Sequence, residues 1–198
     1  MSGKAHNTDD ELMAAFIVGD AAAMETLYLR YRQSVYSWLL RMTGDAAEAE
    51  DIYQDVWLKV IRCASDYRSG NFRAWFWQIV RNKTTDRMRK KSPSLVLDAP
   101  VCAAGEGGGL TVVDQMSDDA AADALMQIEE RERKSAVCDA IDALPMAQRE
   151  IVLLRINGEL SFKEIADMLA APIGTVLARM RNAVKSLKAA LSEKGVLK

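Results

Sequence analysis

Apolar residues recur along both ends of this chain at intervals of three and four, the spacing of one helix face, and no segment alternates convincingly as a strand does. Local punctuation divides the pattern. Thr8 with Glu11 forms a capping box that opens a helix to about Val18, because the hydroxyl accepts from the amide three residues on and the carboxylate reaches back. Gly19-Asp20 breaks it, and a second helical region runs to about Met42. Thr43-Gly44-Asp45 is a stop and restart, with Gly44 as C-terminal cap and Asp45 as the next N-cap. A long helix follows to about Ala64, then a loop from Asp66 to Asn71, then a helix from Phe72 to about Lys91. Helical character returns from Asp118 to Ala143, Leu144-Pro145 breaks it, and Met146 to Asn157 forms another helix before Gly158.

The last segment carries the most specific pattern. Ser161 and Glu164 form a second capping box, and Ile165, Ala166 and Leu169 share one face of a short helix. Pro172 suits the start of the next, where its missing N–H has no partner to lose. Val176, Met180, Ala183, Val184 and Leu187 then form the packing face of that helix, with Thr175, Ala178, Arg181, Asn182 and Lys185 opposite. Gly174 to Lys188 holds four cations and no acid. This is a helix-turn-helix whose second helix offers small, polar and cationic side chains to a DNA major groove. Taken alone, the same pattern also describes a helical hairpin with a solvated basic face.

The fold expected is all-α: two small helical domains joined by a flexible linker, the C-terminal one containing the helix-turn-helix. The domains are 1–91 and 135–198, and 92–134 is an acidic linker with a helical end. Ser92 to Ser117 has Pro93, Pro100, the run Gly105-Glu106-Gly107-Gly108-Gly109 and no helical period, so it reads as a tether that lets the separation of the domains vary. Charge sharpens the division. The net charge of −2 hides 14 Lys/Arg against 12 Asp/Glu in residues 1–91, 3 against 9 in residues 92–134, and 9 against 7 in residues 135–198. Overall acidity does not exclude nucleic acid, because phosphates respond to the local patch.

Composition removes several classes. No apolar run approaches the roughly 18 residues of a membrane span, and the N-terminal ten residues lack the apolar centre of a signal peptide, so a cytoplasmic protein is expected. Cys63, Cys102 and Cys138 have no paired spacing, which argues against a zinc site or disulfide framework. His6 lies in a tail expected to fray and is neither ligand nor catalyst. No glycine loop suited to phosphates is found, and Glu48, Glu50, Asp51 and Asp55 converge with no histidine or second carboxylate cluster, so no catalytic residue, metal or cofactor is assigned and no enzyme is expected.

Two further faces carry the functional reading. From Asp45 to Arg62, Ala49, Ile52, Val56 and Val60 make a buried face, while Asp51, Gln54, Asp55, Leu58 and Arg62 point away with an apolar residue at their centre. That surface is either a solvated acidic helix or a docking site for another protein. From Phe72 to Lys91, Phe72, Trp75, Phe76 and Ile79 form the core side, and Trp77, Gln78, Arg81, Thr85, Met88 and Arg89 lie opposite. With six cations against one acid between Arg81 and Lys91, an exposed Trp77 would stack on an unpaired base while the cations hold phosphates. The competing reading has Trp77 half-buried against the N-terminal helices.

Ala49-Glu50-Asp51 with Gln54-Asp55, then Phe72-Arg73-Ala74-Trp75-Phe76-Trp77 and Arg81-Asn82, resemble domain 2 of bacterial sigma factors of the extracytoplasmic-function class. Leu144-Pro145, Arg149-Glu150, Leu153-Leu154-Arg155, Glu164-Ile165-Ala166 and Gly174-Thr175-Val176 resemble domain 4 of the same family, in the family's order. The resemblance implies a dissociable promoter-specificity subunit of RNA polymerase. It implies that Asp51, Gln54, Asp55, Leu58 and Arg62 dock on the clamp coiled coil of the largest polymerase subunit. It implies that Trp77, Gln78, Arg81, Asn82, Thr85 and Arg89 meet the −10 element and its melted strand, with base capture in the Asp66 to Asn71 loop. Thr175, Leu177, Ala178, Arg179, Arg181, Asn182 and Lys185 would read the −35 element. The linker would thread near the RNA exit path, and an anti-sigma protein would hold the factor inactive between its domains, in a stress or envelope response. Three departures stand out: Leu177-Ala178-Arg179 where many members place Lys/Arg-Ser-Arg, Ala170 where a turn glycine is common, and a rather long linker with its glycine run. The alternative is a freestanding helix-turn-helix regulator, which leaves the two N-terminal faces unexplained.

Overall fold

The computed structural model describes residues 8–68, 70–91 and 120–196. The Ser92 to Ser117 tether, Cys102 and His6 lie outside them. The elements are α1 (Asp9–Ile17), α2 (Ala21–Thr43), α3 (Ala46–Arg62), a short 3-10 turn (Ala64–Asp66), α4 (Phe72–Lys91), α5 (Ala120–Asp142), α6 (Met146–Ile156), α7 (Phe162–Met168) and α8 (Ile173–Glu193). Among the described residues there is no strand.

The ends of these helices follow from their capping residues. Both capping boxes form: Thr8 with Glu11 at α1, and Ser161 with Glu164 at α7. Gly44 takes the left-handed conformation, with φ of 69°, after α2, and Asp45 accepts the amides of Ala47 and Glu48 to start α3. Pro172 is the N-cap of α8, one position before the first helical residue. The departure at Ala170 has a structural consequence. Ala170 adopts φ of 48°, its amide donates to Asp167 O at 3.2 Å and that of Ala171 to Ala166 O at 3.0 Å. These two bonds are a Schellman ending, built here on an alanine where glycine carries no steric penalty.

In the N-terminal half, α1 to α4 pack around an aromatic core. Tyr31, Phe72, Phe76 and Trp57 meet at centroid distances of 4.7 to 5.8 Å. Asp9 and Asp10, in the first turn of α1, tie that helix down: Asp9 accepts from Arg30 and Tyr31, and Asp10 accepts from the Tyr67 hydroxyl and the Gly70 amide. In the C-terminal half, α6, α7 and α8 bury Ile151, Leu154, Leu160, Ile165, Val176 and Ala183. Arg149 is 8 % exposed and donates to the carbonyls of Asp142 and Leu144, which satisfies the free C-terminal end of α5.

Among the described residues the two halves are packed together, where the sequence led us to expect a tether that lets their separation vary. Buried residues from both contribute to one continuous apolar core. Arg41 on α2 donates to Asp142 at 2.8 Å, Arg149 donates to the carbonyl of Arg41 at 3.1 Å, and Asn157 to that of Ser34 at 3.2 Å.

Candidate nucleic-acid interface

Helix α8 presents the face that its sequence led us to expect. Val176 and Ala183 are fully buried against α6 and α7, with Met180 and Leu187 half-buried beside them. Leu177, Ala178, Arg179, Arg181, Asn182 and Lys185 are exposed, and Thr175 is half-buried at the helix start. Among the described residues none of Arg179, Arg181 and Lys185 has an ion-pair partner. Val184, assigned to the packing side, is 37 % exposed, because it sits at the edge of the buried arc. Ile173, which the sequence reading passed over, is 49 % exposed one turn before Leu177 and so shares its face. An apolar pair of this kind suits thymine methyl groups beside cations.

Helix α3 also holds its expected division. Ala49, Ile52, Val56 and Val60 are buried; Asp51, Gln54, Asp55, Leu58 and Arg62 are exposed. Ile61, 48 % exposed and three residues after Leu58, doubles the apolar centre of that face. Its spacing from Leu58 was the available signal. The carboxylates are engaged from the side by α4: Arg87 lies 3.1 Å from Asp51, and Lys83 lies 3.9 Å from Asp55. Both acids remain mostly solvent-exposed, so these pairs are weak and exchangeable.

Helix α4 departs from expectation. Trp77 is fully buried rather than exposed, and so corrects the stacking surface drawn from the sequence. Trp77, Val80 and Thr84 fall at i, i+3 and i+7 and are all 0 % exposed. The helix is sandwiched, with Phe72 and Phe76 on the α1–α3 side and Trp77 turned toward α2 and the turn after α6. Trp77 meets Trp38 edge-to-face at 5.9 Å and packs on Gly158, where an added Cβ would lie 3.3 Å from the Trp77 ring and 2.6 Å from the Leu154 carbonyl oxygen. Gly158 is therefore required by close approach. The remaining α4 positions divide. Gln78 and Thr85 are half-buried, while Asn82 and Arg89 are exposed. Arg81 is half-buried, and its Nε donates to Glu150 Oε1 on α6 at 2.8 Å. Phe72 and Phe76 are buried as expected; Trp75 and Ile79 are half-buried. In the loop before α4, Asn71 accepts from the Ala74 amide at 3.0 Å and donates to Glu164; in the first turn of α4, Arg73 pairs with Glu159.

Electrostatics follow these contacts. The Glu164 carboxyl lies below its usual range: burial pushes it up, but the Ser161 hydroxyl and amide, Asn71 and Arg73 outweigh that. The hydroxyls of Tyr31 and Tyr67 are pushed well above their usual range, first by burial and then by the Asp9 and Asp10 carboxylates they donate to. Cys63 and Cys138 are half-buried thiols without a disulfide. Among the described residues no cluster of His, Cys, Asp and Glu is arranged to hold a metal ion, and no helix is long and apolar enough to cross a membrane.

Comparison with known proteins matches both halves. The family model for sigma-70 region 2 covers residues 27–93, and that for sigma-70 region 4 covers residues 140–189. The ECF RNA polymerase sigma factor SigW of Bacillus subtilis is 32 % identical over 178 residues, spanning 88 % of this chain and 92 % of that protein. SigK of Mycobacterium tuberculosis, also an ECF RNA polymerase sigma factor, is 30 % identical over 181 residues, spanning 90 % and 91 % respectively. Among solved structures, CnrH in complex with the cytosolic domain of CnrY aligns with a TM-score of 0.61 at 20 % identity, covering 93 % of this chain and 97 % of that one. The sigma factor RpoE in complex with the anti-sigma factor NepR, from Bartonella quintana, aligns with a TM-score of 0.58 at 19 % identity, covering 85 % and 96 %. These last two bear on the fold alone. Two family regions in order on one chain, with an exposed basic helix ending the second, identify the protein as a member of the extracytoplasmic-function class of RNA polymerase sigma factors, initiation factors that direct polymerase to promoters.

Proposed function

We propose that this sigma factor divides its work among three surfaces within domains 1–91 and 135–198, joined by the acidic tether 92–134. The α3 face of Asp51, Gln54, Asp55, Leu58 and Arg62, extended by Ile61, docks on the clamp coiled coil of core polymerase. The α4 face of Gln78, Arg81, Asn82, Thr85 and Arg89 meets the −10 element, with Trp77 joining it once uncovered. The α8 face reads the −35 element through Thr175, Leu177, Ala178, Arg179, Arg181, Asn182 and Lys185. The chain performs no chemistry of its own; polymerase catalyses, and the factor works beside it in the cytoplasm. Two of the sigma-like folds it matches are partnered, one named as an anti-sigma complex. On that pattern a partner protein holds this factor inactive until a stress or envelope signal releases it.

The observation that carries this reading is the α8 face, where exposed cations and two exposed apolar side chains stand opposite the buried Val176 and Ala183. Transcription with core polymerase on a promoter library tests it. Discrete start sites that depend on this chain are the expected result; products identical to those of core alone would overturn it. Reversing the charges of Asp51 and Asp55 together should weaken core binding with helicity intact.

A further inference from the structure

Helix α8 sorts its exposed residues by chemistry along its length. Its beginning offers Ile173, Gly174, Leu177 and Ala178, all exposed and none with a side-chain donor or acceptor. Further along, Arg181, Lys185 and Lys188 are exposed on the same side. Ile173 and Leu177 are 49 % and 38 % exposed, one turn apart. Between them the surface is small: a Cβ added at Gly174 would meet nothing within 4 Å, and Ala178 projects only a methyl.

This order constrains what the face can meet. Gly174 to Lys188 holds four cations and no acid, which draws phosphate. Glycine and alanine let the start of the helix backbone sit close to base edges, while the long cationic side chains farther on reach the strands. At that depth Ile173 and Leu177 have no hydrogen bond to offer, so donors and acceptors on the bases are not what they distinguish. Among the groups that base pairs present in the major groove, the thymine C5-methyl is the apolar one. Packing that methyl on an aliphatic side chain is favourable. Setting the same side chain on a G·C edge strips water from polar groups without replacing it, which is a cost.

We propose that Ile173 and Leu177 are specificity-determining residues of α8, each packing on the C5-methyl of a thymine in the −35 segment. Four residues of helix rise about 6 Å, so the two thymines lie within about two base-pair steps of one another at about 3.4 Å per step. This inference rests on the reading of α8 as the −35 face. It adds which groups of the DNA are read there, and by which side chains.

The test uses the full chain bound to core polymerase. The probe is a fluorescein-labelled duplex carrying a promoter recovered with this chain from the library, read by anisotropy. Each thymine of the −35 segment is replaced in turn by deoxyuridine, which pairs as thymine does and lacks only the methyl. Binding is expected to weaken about fourfold at each of two positions, the worth of one buried methyl. Ile173→Ala should bind thymine and deoxyuridine alike at one of them, and Leu177→Ala at the other. Both variants should unfold in urea as the native chain does, because the side chains are exposed. Equal binding of thymine and deoxyuridine at every position, discrimination that survives both substitutions, or a −35 segment without two thymines this close would overturn the proposal. So would variants that bind core more weakly yet keep the thymine preference, since the pair would then be a protein contact. The −35 reading fails separately: if Arg181→Ala with Lys185→Ala leaves the dependence of binding on the −35 sequence unchanged, α8 is not the DNA face.

Discussion

Helices α4 and α8 both carry cations at helical spacing, yet their surroundings differ. On α8, Arg179, Arg181 and Lys185 face solvent, since the helix packs on α5, α6 and α7 with its other side. On α4, Arg81 meets Glu150, Arg87 meets Asp51 and Glu48, and Lys83 meets Asp55, because the helix lies between α3 on one side and the C-terminal half on the other. The difference teaches that a basic helix is a ready phosphate site only where its neighbours leave it uncovered. On the proposed reading, α8 would meet a duplex without rearrangement, whereas α4 would first exchange acidic partners.

The comparison is broken most strongly at Trp77. As a fully buried ring, its replacement by Ala should cost about 3–5 kcal/mol of stability in urea unfolding. An exposed stacking residue would stay within about 0.5 kcal/mol. Arg81→Ala and Arg181→Ala come next, as a matched pair. Loss of Arg81 strands Glu150 in a nearly closed site and should cost roughly 1.5–3 kcal/mol, while Arg181→Ala should leave the unfolding midpoint almost unchanged. The same two changes measured for −35 duplex binding should reverse in rank, with Arg181 the larger loss.

A smaller effect sharpens the account of the helix-turn-helix. Ala170→Gly relieves a left-handed alanine and should raise stability by roughly 0.5–1 kcal/mol, after allowing for the freer unfolded chain. No gain would mean that the turn relaxes around alanine. The smallest effect is in pH. Because the folded protein holds the Glu164 carboxyl below its ordinary range, the native state binds that proton less tightly than the unfolded chain does. Its contribution is therefore complete above the ordinary glutamate pKa of about 4.3 and is lost as pH falls through the lower folded value. Denaturation midpoints of the native chain and Glu164→Gln, distinct near neutrality, should converge in acid.

Much of the candidate site was legible because its signals are local or strictly periodic. The α3 face was read residue by residue, and the division of α8 also held apart from Val184, which is exposed, and Thr175, which is half-buried. Ile61 and Ile173 were missed although each stands one turn from an apolar residue already chosen. The burial of Trp77 was harder to see. A side chain on the flank of one packing face is exposed if a helix has one neighbour and buried if it has two, and only Val80 and Thr84 at i+3 and i+7 hinted at the second.

The sequence by itself determined where helices begin and end, since a capping hydroxyl, a left-handed glycine or a proline acts on amides within a turn of its own position. Thr8, Gly44, Asp45 and Ser161 all act in this way. It also determined which side of α3 and α8 is apolar, and through two motif sets in order, the family. Only the tertiary structure decided that the halves meet, that Glu150 rather than solvent faces Arg81, and that Gly158 closes over Trp77. Those contacts join residues some 70 to 80 positions apart. No local rule specifies which carboxylate a cation finds at that separation, because the answer depends on how two preformed helical surfaces fit.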